Sequence, residues 1–242
     1  MNKNHRNDLS TTRMKDFSEF EKKIGVDFND KDLLEQAFTH RSYLNENQDI
    51  RHGHNERLEF LGDAVMELVI TDYLFKKFPD VSEGELTAYR SALVRTETIS
   101  HAALELGAGD FLLLSKGEAR DGGKARDYIL ANTFESIIGA IYLDHGYATA
   151  EIFISSTLYP RIEDIVKNGS WKDPKSFIQE KAQEEFSVTP EYRVHSELGP
   201  DHDKNFVVGI YFGEELVAVG EGKSKQQAQQ EAAIAARYVK EW

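Results

Sequence analysis

NERLEFLGD, Asn55–Asp63, opens a stretch in which Leu58, Leu61, Val65 and Leu68 recur at helical spacing. Within it Glu56, Glu59 and Asp63 stand at i, i+3 and i+7. On a helix that places three carboxylates on one face, within about 60° of arc. Like charges so arranged repel and raise one another's pKa unless a cation lies among them. A second stretch, Ile129–Asp144 (ILANTFESIIGAIYLD), carries Phe134, Ile137, Ile138, Ile141 and Tyr142 on an apolar side. Asn132 and Glu135 sit on its polar side at i, i+3. Gly62 and Gly139 lie on or beside these polar faces, where the missing side chain allows close helix approach. Two such helices packed together would converge several oxygen ligands on one point, a donor set suited to Mg²⁺ or Mn²⁺. Divalent ions held this way serve phosphodiester hydrolysis. Spacing alone also fits a solvated acidic face, and Asn-x-x-Glu also fits a capping box.

Outward from these two segments, the chain from about Phe17 to about Tyr159 reads as helix after helix, with little strand alternation. Residues 161–172 turn polar, with Gly169 and Ser170, as a linker would. Beyond them Asp173-Pro174 suits a helix start, with Ile178, Ala182 and Phe186 as its apolar stripe. Tyr192, Val194 and Leu198 alternate as a half-buried strand; Phe206–Phe212 and Leu216–Val219 read as two more around a Gly213–Glu215 turn. Ser224 and Gln227 form a capping box for a last helix carrying Ala228, Ala232, Ala235 and Val239. The expected class is α+β: an all-helical domain over 16–160, a linker over 161–172, and an α-β-β-β-α domain over 173–242, behind a flexible tail at 1–15.

Composition narrows the function. The 242 residues contain no cysteine, which excludes disulfide scaffolds and cysteine nucleophiles. No run approaches the ~20 apolar residues that cross a membrane, and the polar first fifteen residues lack a signal-peptide core; a soluble, cytoplasmic protein is expected. A net charge of −13 argues against nucleic-acid binding by bulk basicity. Such binding would need local positive charge, shape recognition or divalent cations. His52 and His54 form an H-x-H pair without further zinc ligands nearby, and read as part of a polar loop.

NERLEFLGD, preceded by THRSY (Thr39–Tyr43) and followed by EGELTAYRSALVRTETIS (Glu83–Ser100) and ILANTFESIIGAIYLD, closely resembles bacterial ribonuclease III. The C-terminal domain resembles that family's double-stranded-RNA-binding domain, so the similarity covers nearly the whole chain. The resemblance implies a homodimeric, Mg²⁺-dependent endoribonuclease with one site per subunit; Mn²⁺ is a possible substitute. It implies that Glu59, Asp63, position 132 and Glu135 hold the metal, that Asp63 and Glu135 are catalytic, and that Glu56 is a supporting acid. Phe60 occupies a position that packs across the dimer, although intrachain core is an equally fitting reading. The implied products carry 5′-phosphate and 3′-hydroxyl ends with a short 3′ overhang. The implied substrates are double-stranded RNAs: ribosomal RNA precursors, structured messenger RNAs and small RNAs. One position departs from the pattern: Asn132 stands where the family usually has aspartate. A carboxamide oxygen can still ligate Mg²⁺ but removes one negative charge. The alternative function is therefore a duplex-RNA-binding regulator with a weakened or inactive nuclease site.

The resemblance also assigns RNA contacts. Gln179 on the first helix of the C-terminal domain reads a minor-groove edge. His202, in the loop GPDHDKNF, reaches the next minor groove. Lys223 and Lys225 at the start of the last helix meet phosphates. Duplex RNA is read mainly by shape, 2′-hydroxyls and phosphates, so little sequence preference is expected. From Asp173 to Trp242 there are 8 Lys+Arg against 13 Asp+Glu, and Gln226 stands where the family commonly has a further lysine. Fewer phosphate contacts imply weaker binding with a shallower salt dependence.

Overall fold

The computed structural model describes residues 15–50, 52–120, 122–200 and 204–242. Residues 1–14 of the tail expected at 1–15, and His202, lie outside the described residues. The chain divides into two compact units between Glu163 and Asp164.

The first unit is helical: α1 (Ser18–Ile24), α2 (Lys31–Phe38), α3 (Arg41–Leu44), α4 (Glu56–Lys77), α5 (Glu83–Val94), α6 (Thr96–Glu105), α7 (Lys124–His145) and the start of α8 (Tyr147–Lys167), with short 3₁₀ turns at Ala108–Asp110 and Glu118–Arg120. Its centre is α4 against α7. Leu58, Val65, Met66, Val69 and Ile70 of α4 and Phe134, Ile137, Ile138 and Ile141 of α7 are all buried, so the apolar side read for each helix is largely its packed side. The crossing has no room for side chains. A Cβ on Gly62 would stand 1.8 Å from the Glu135 carbonyl oxygen, and one on Gly139 would stand 2.2 Å from the Leu58 carbonyl oxygen. Both positions therefore demand glycine for a close approach.

Two sequence expectations change here. Leu68 is 58% exposed, because ten residues beyond Leu58 it has rotated off the face that meets α7. Glu83–Ser100 is helical, in two helices: Arg95 is extended (φ −65°, ψ 151°), ending α5 and starting α6. Residues 161–167, expected in the linker, are the last turns of α8, which runs through Pro160. That proline forgoes one helical hydrogen bond without ending the helix.

The second unit contains α9 (Pro174–Phe186), β1 (Glu191–Leu198), β2 (Asn205–Phe212), β3 (Glu215–Gly222) and α10 (Lys225–Val239). The three strands form an antiparallel sheet in the order β1-β2-β3. Asp173 accepts from the Ser176 amide and Ser224 from the Gln227 amide, so both helices start where the caps were read. Phe177, Ile178 and Ala182 pack with Ile210, Phe212, Val217, Ala232, Ala233 and Ala236 between the helices and one sheet face. The expected inward row on β1 fails after Tyr192. The register slips between Val194 and Ser196, a one-residue bulge that reverses the alternation beyond it. Leu198 consequently pairs with Asn205 on the outer face and is exposed, and Val194, at the edge strand, is also exposed. Phe186 and Val239 are exposed too, at the last turns of their helices. No described helix is long and apolar enough to cross a membrane.

Candidate active site

The start of α4 is fixed by its backbone. Asn55 is buried; its amide donates to the Thr39 carbonyl (2.9 Å) and its side chain to the Ala37 carbonyl (3.4 Å). The Ser136 hydroxyl donates to the Asn55 carbonyl (3.3 Å) and the Asn132 carbonyl (2.7 Å), so α7 grips the point where α4 begins. Asn55 thus serves as an anchor between α2 and α4.

From this anchor and the glycine crossing, the acidic faces of α4 and α7 meet. Glu135 is pushed up to about 8, first by burial and then by the charges of Asp63 and Glu59. Glu59 is raised by burial, then by Glu56 and Asp63, partly offset by a hydrogen bond from Asn132. Asp63 is raised by burial and by Glu67. None of the groups shifting these three carboxylates is a cation. Two helices distant in sequence therefore bring Glu59, Asp63, Asn132 and Glu135 together.

Glu56 is exposed and turned outward. Its Oε1 lies 3.5 Å from Arg41, and its Oε2 lies 3.8 Å from His54 Nδ1. Glu67 is the acid that sequence reading left out. It extends the series 56, 59, 63 by four residues, so the same periodicity already placed it on the face. The H-x-H pair is split between two partners: His52 Nε2 lies 3.6 Å from Glu35 Oε1, whereas His54 Nδ1 accepts from the Glu56 amide (3.4 Å). Phe60 is 81% exposed, which removes the intrachain-core reading.

Among the described residues, no three His, Asp or Glu side chains are already drawn together as a ligand cage. The donor chemistry nonetheless fits a hard divalent cation: carboxylate and carboxamide oxygens, an excess of negative charge, and one carboxyl that holds its proton near neutrality for want of a positive partner.

In the second unit, Gln179 is exposed on α9 in a shallow groove shared with Ser176, Glu180 and Gln183. Lys225 is the first residue of α10, and Lys223 precedes its cap, its amide donating to Gln227 Oε1 (2.9 Å). Lys225 Nζ is 2.6 Å from Glu197 Oε1.

Residues 30–162 match the family model described as Ribonuclease-III-like, more than half of the chain. The chain belongs to the ribonuclease III family. Residues 174–237 match the double-stranded RNA binding motif, which covers the α-β-β-β-α unit from α9 into α10. Curated members of the ribonuclease III family are similar over almost their whole length. The Ribonuclease 3 of Borreliella afzelii is 43% identical over 225 residues, 93% of this chain and 91% of that protein. The Ribonuclease 3 of Bacillus cereus is 45% identical over 223 residues, 91% and 89% of the two chains. Among solved structures, a nuclease domain of ribonuclease III from Campylobacter jejuni superposes with a TM-score of 0.54 at 39% identity. It covers 60% of this chain and 99% of that one, and is described as flexible in a region involved in dimer formation.

Proposed function

We propose that this ribonuclease III-family chain is a Mg²⁺-dependent endoribonuclease that cuts double-stranded RNA. Its products carry 5′-phosphate and 3′-hydroxyl ends with a short 3′ overhang. The observation that carries the reading is the meeting of the α4 and α7 acids, with Glu135 pushed up to about 8 by burial and by Asp63 and Glu59. Glu59, Asp63, Asn132 and Glu135 hold the cation, and Mn²⁺ can replace Mg²⁺. When bound, the cation supplies an acidified water and a counter-charge for the scissile phosphate. Asp63 and Glu135 are the groups that orient the attack, and Glu56 supports from the rim. Without a cation the Glu135 carboxyl keeps its proton at pH 7, so cation binding displaces that proton.

Cleavage of both strands needs two sites, which a homodimer supplies; the exposed ring of Phe60 lies in its interface. The second unit, with Gln179, His202, Lys223 and Lys225, holds the duplex. Ribosomal RNA precursors, structured messenger RNAs and small RNAs in the cytoplasm are the substrate classes. Incubating the purified chain with long duplex RNA, with Mg²⁺ or with chelator, tests the proposal. Cutting with Mg²⁺ alone supports it. A gel shift without cutting at any Mg²⁺ concentration replaces it with a duplex-binding regulator.

A further inference from the structure

We propose that Glu197 is an internal rival of RNA phosphate for Lys225, and so sets how tightly the C-terminal unit holds a duplex. The inference rests on the reading of Lys225 as a phosphate contact. Three elements meet at this corner of the second unit. Glu197 is the last residue but one of β1 and pairs in register with Phe206, the second residue of β2. Lys225 is the first residue of α10, and its ammonium lies 5.6 Å from the Phe206 ring centroid and 2.6 Å from the Glu197 carboxylate. The lysine stem thus runs past the strand end, and its charge is delivered to a carboxylate of the same unit.

Two of the amides around the start of α10 are already committed within the unit. The Gln227 amide is already given to the Ser224 hydroxyl (3.1 Å), and the Lys223 amide to the Gln227 side chain (2.9 Å). Position 226 is glutamine, so it carries no charge. With 8 basic against 13 acidic residues between Asp173 and Trp242, the state of one lysine weighs heavily. A phosphate that docks here has to draw Lys225 away from Glu197, or share it. In either case the carboxylate remains beside the contact, and fewer counter-ions are released on binding than a lone lysine would give.

The pair is solvent-exposed on both sides, 56% for Lys225 and 38% for Glu197. Its strength is therefore that of a surface ion pair, which limits the effect to about two- to five-fold in affinity. That size is measurable, and its sign is diagnostic. If Glu197 instead served to aim Lys225 at RNA, its loss would weaken binding. If it merely repelled the duplex through space, its loss would help whether or not Lys225 were present.

The test is a double-mutant cycle on the full chain in chelator, with a duplex RNA binding isotherm measured at several salt concentrations. Glu197→Gln is expected to tighten binding about two- to five-fold and to steepen the salt dependence by up to about one unit of slope. In a Lys225→Ala background the same change is expected to do nothing. A gain that persists without Lys225 overturns the proposal in favour of simple repulsion, and no gain or a loss overturns it outright. Failure of the parent reading shows separately: Lys225→Ala would then leave affinity unchanged even in the Glu197→Gln background. Both side chains are exposed, so unchanged circular dichroism and thermal midpoint serve as the folding control.

Discussion

Replacing Glu135 with glutamine isolates the electrostatics of the acidic cluster. In the cation-free protein Glu135 is raised from 4.5 to about 8 by burial and by Asp63 and Glu59. The unfolded chain ionises this carboxyl near its ordinary value, whereas the folded chain keeps the proton up to about pH 8. Between those values the native state binds more protons than the unfolded one, so stability falls as pH rises. At about 1.36 kcal/mol per pH unit the ceiling is about 5 kcal/mol across the window. Water reaches part of the site, and about half of that, roughly 2 kcal/mol, is the expected loss between pH 5 and pH 8. Urea denaturation in chelator at half-unit pH steps measures it. Wild type is expected to lose stability over the window, and Glu135→Gln to lose less, becoming the more stable protein by about 2 kcal/mol at pH 8. Adding Mg²⁺ at pH 8 is expected to stabilise wild type and to stabilise Glu135→Gln less. Parallel pH curves for the two proteins would refute the claim that Glu135 faces Asp63 and Glu59 without a cation.

Three further outcomes test other parts of the structure. Gly62→Ala is expected to cost about 3 kcal/mol or more in urea denaturation, because its Cβ would meet the Glu135 carbonyl oxygen at 1.8 Å and backbone cannot give way as a side chain can. Asn132→Asp removes the hydrogen bond to Glu59 and adds a charge. A carboxylate at about 4 Å contributes about 1 kcal/mol to a cation in water-like surroundings, so half-maximal cleavage is expected at about five-fold lower Mg²⁺, and an unchanged Mg²⁺ titration would refute the role of position 132. Phe60→Ala is expected to shift the protein towards monomer in sedimentation equilibrium while leaving the unfolding free energy of the monomer, from urea denaturation, within about 0.5 kcal/mol, since the ring lies outside its own core.

The parts of the molecule that follow from one-dimensional periodicity were legible in the sequence. The buried faces of α4 and α7, the caps at Asp173 and Ser224, and the glycines at their crossing all follow from spacing and residue type. What periodicity misses is where a neighbour ends. Leu68 fits the apolar repeat of α4 yet faces out, because α7 no longer covers that side of the helix. Leu198 fits the alternation of β1 yet faces out, because a bulge of one residue is invisible to a pattern of period two. The linker expected from residue 161 begins later, because Pro160 costs one hydrogen bond in a helix whose other bonds persist, and α8 continues to Lys167. At the site, spacing supplied Glu56, Glu59 and Asp63, and one more step along the same face would have supplied Glu67. That Glu56 turns towards Arg41 and His54 follows from where α3 and the residues just before α4 are placed, which sequence spacing does not encode.

The contact between Gly62 and Gly139 has a consequence for how the acidic cluster tolerates change elsewhere. Where helices rest on interlocked side chains, their separation follows the sizes of those side chains, and each substitution in the core resets it. Here main chain abuts main chain, so peptide dimensions, the same in every sequence, act as the spacer between the two rows of oxygens. Core residues around the crossing can be exchanged for others of similar bulk while the gauge of the acidic cluster stays constant.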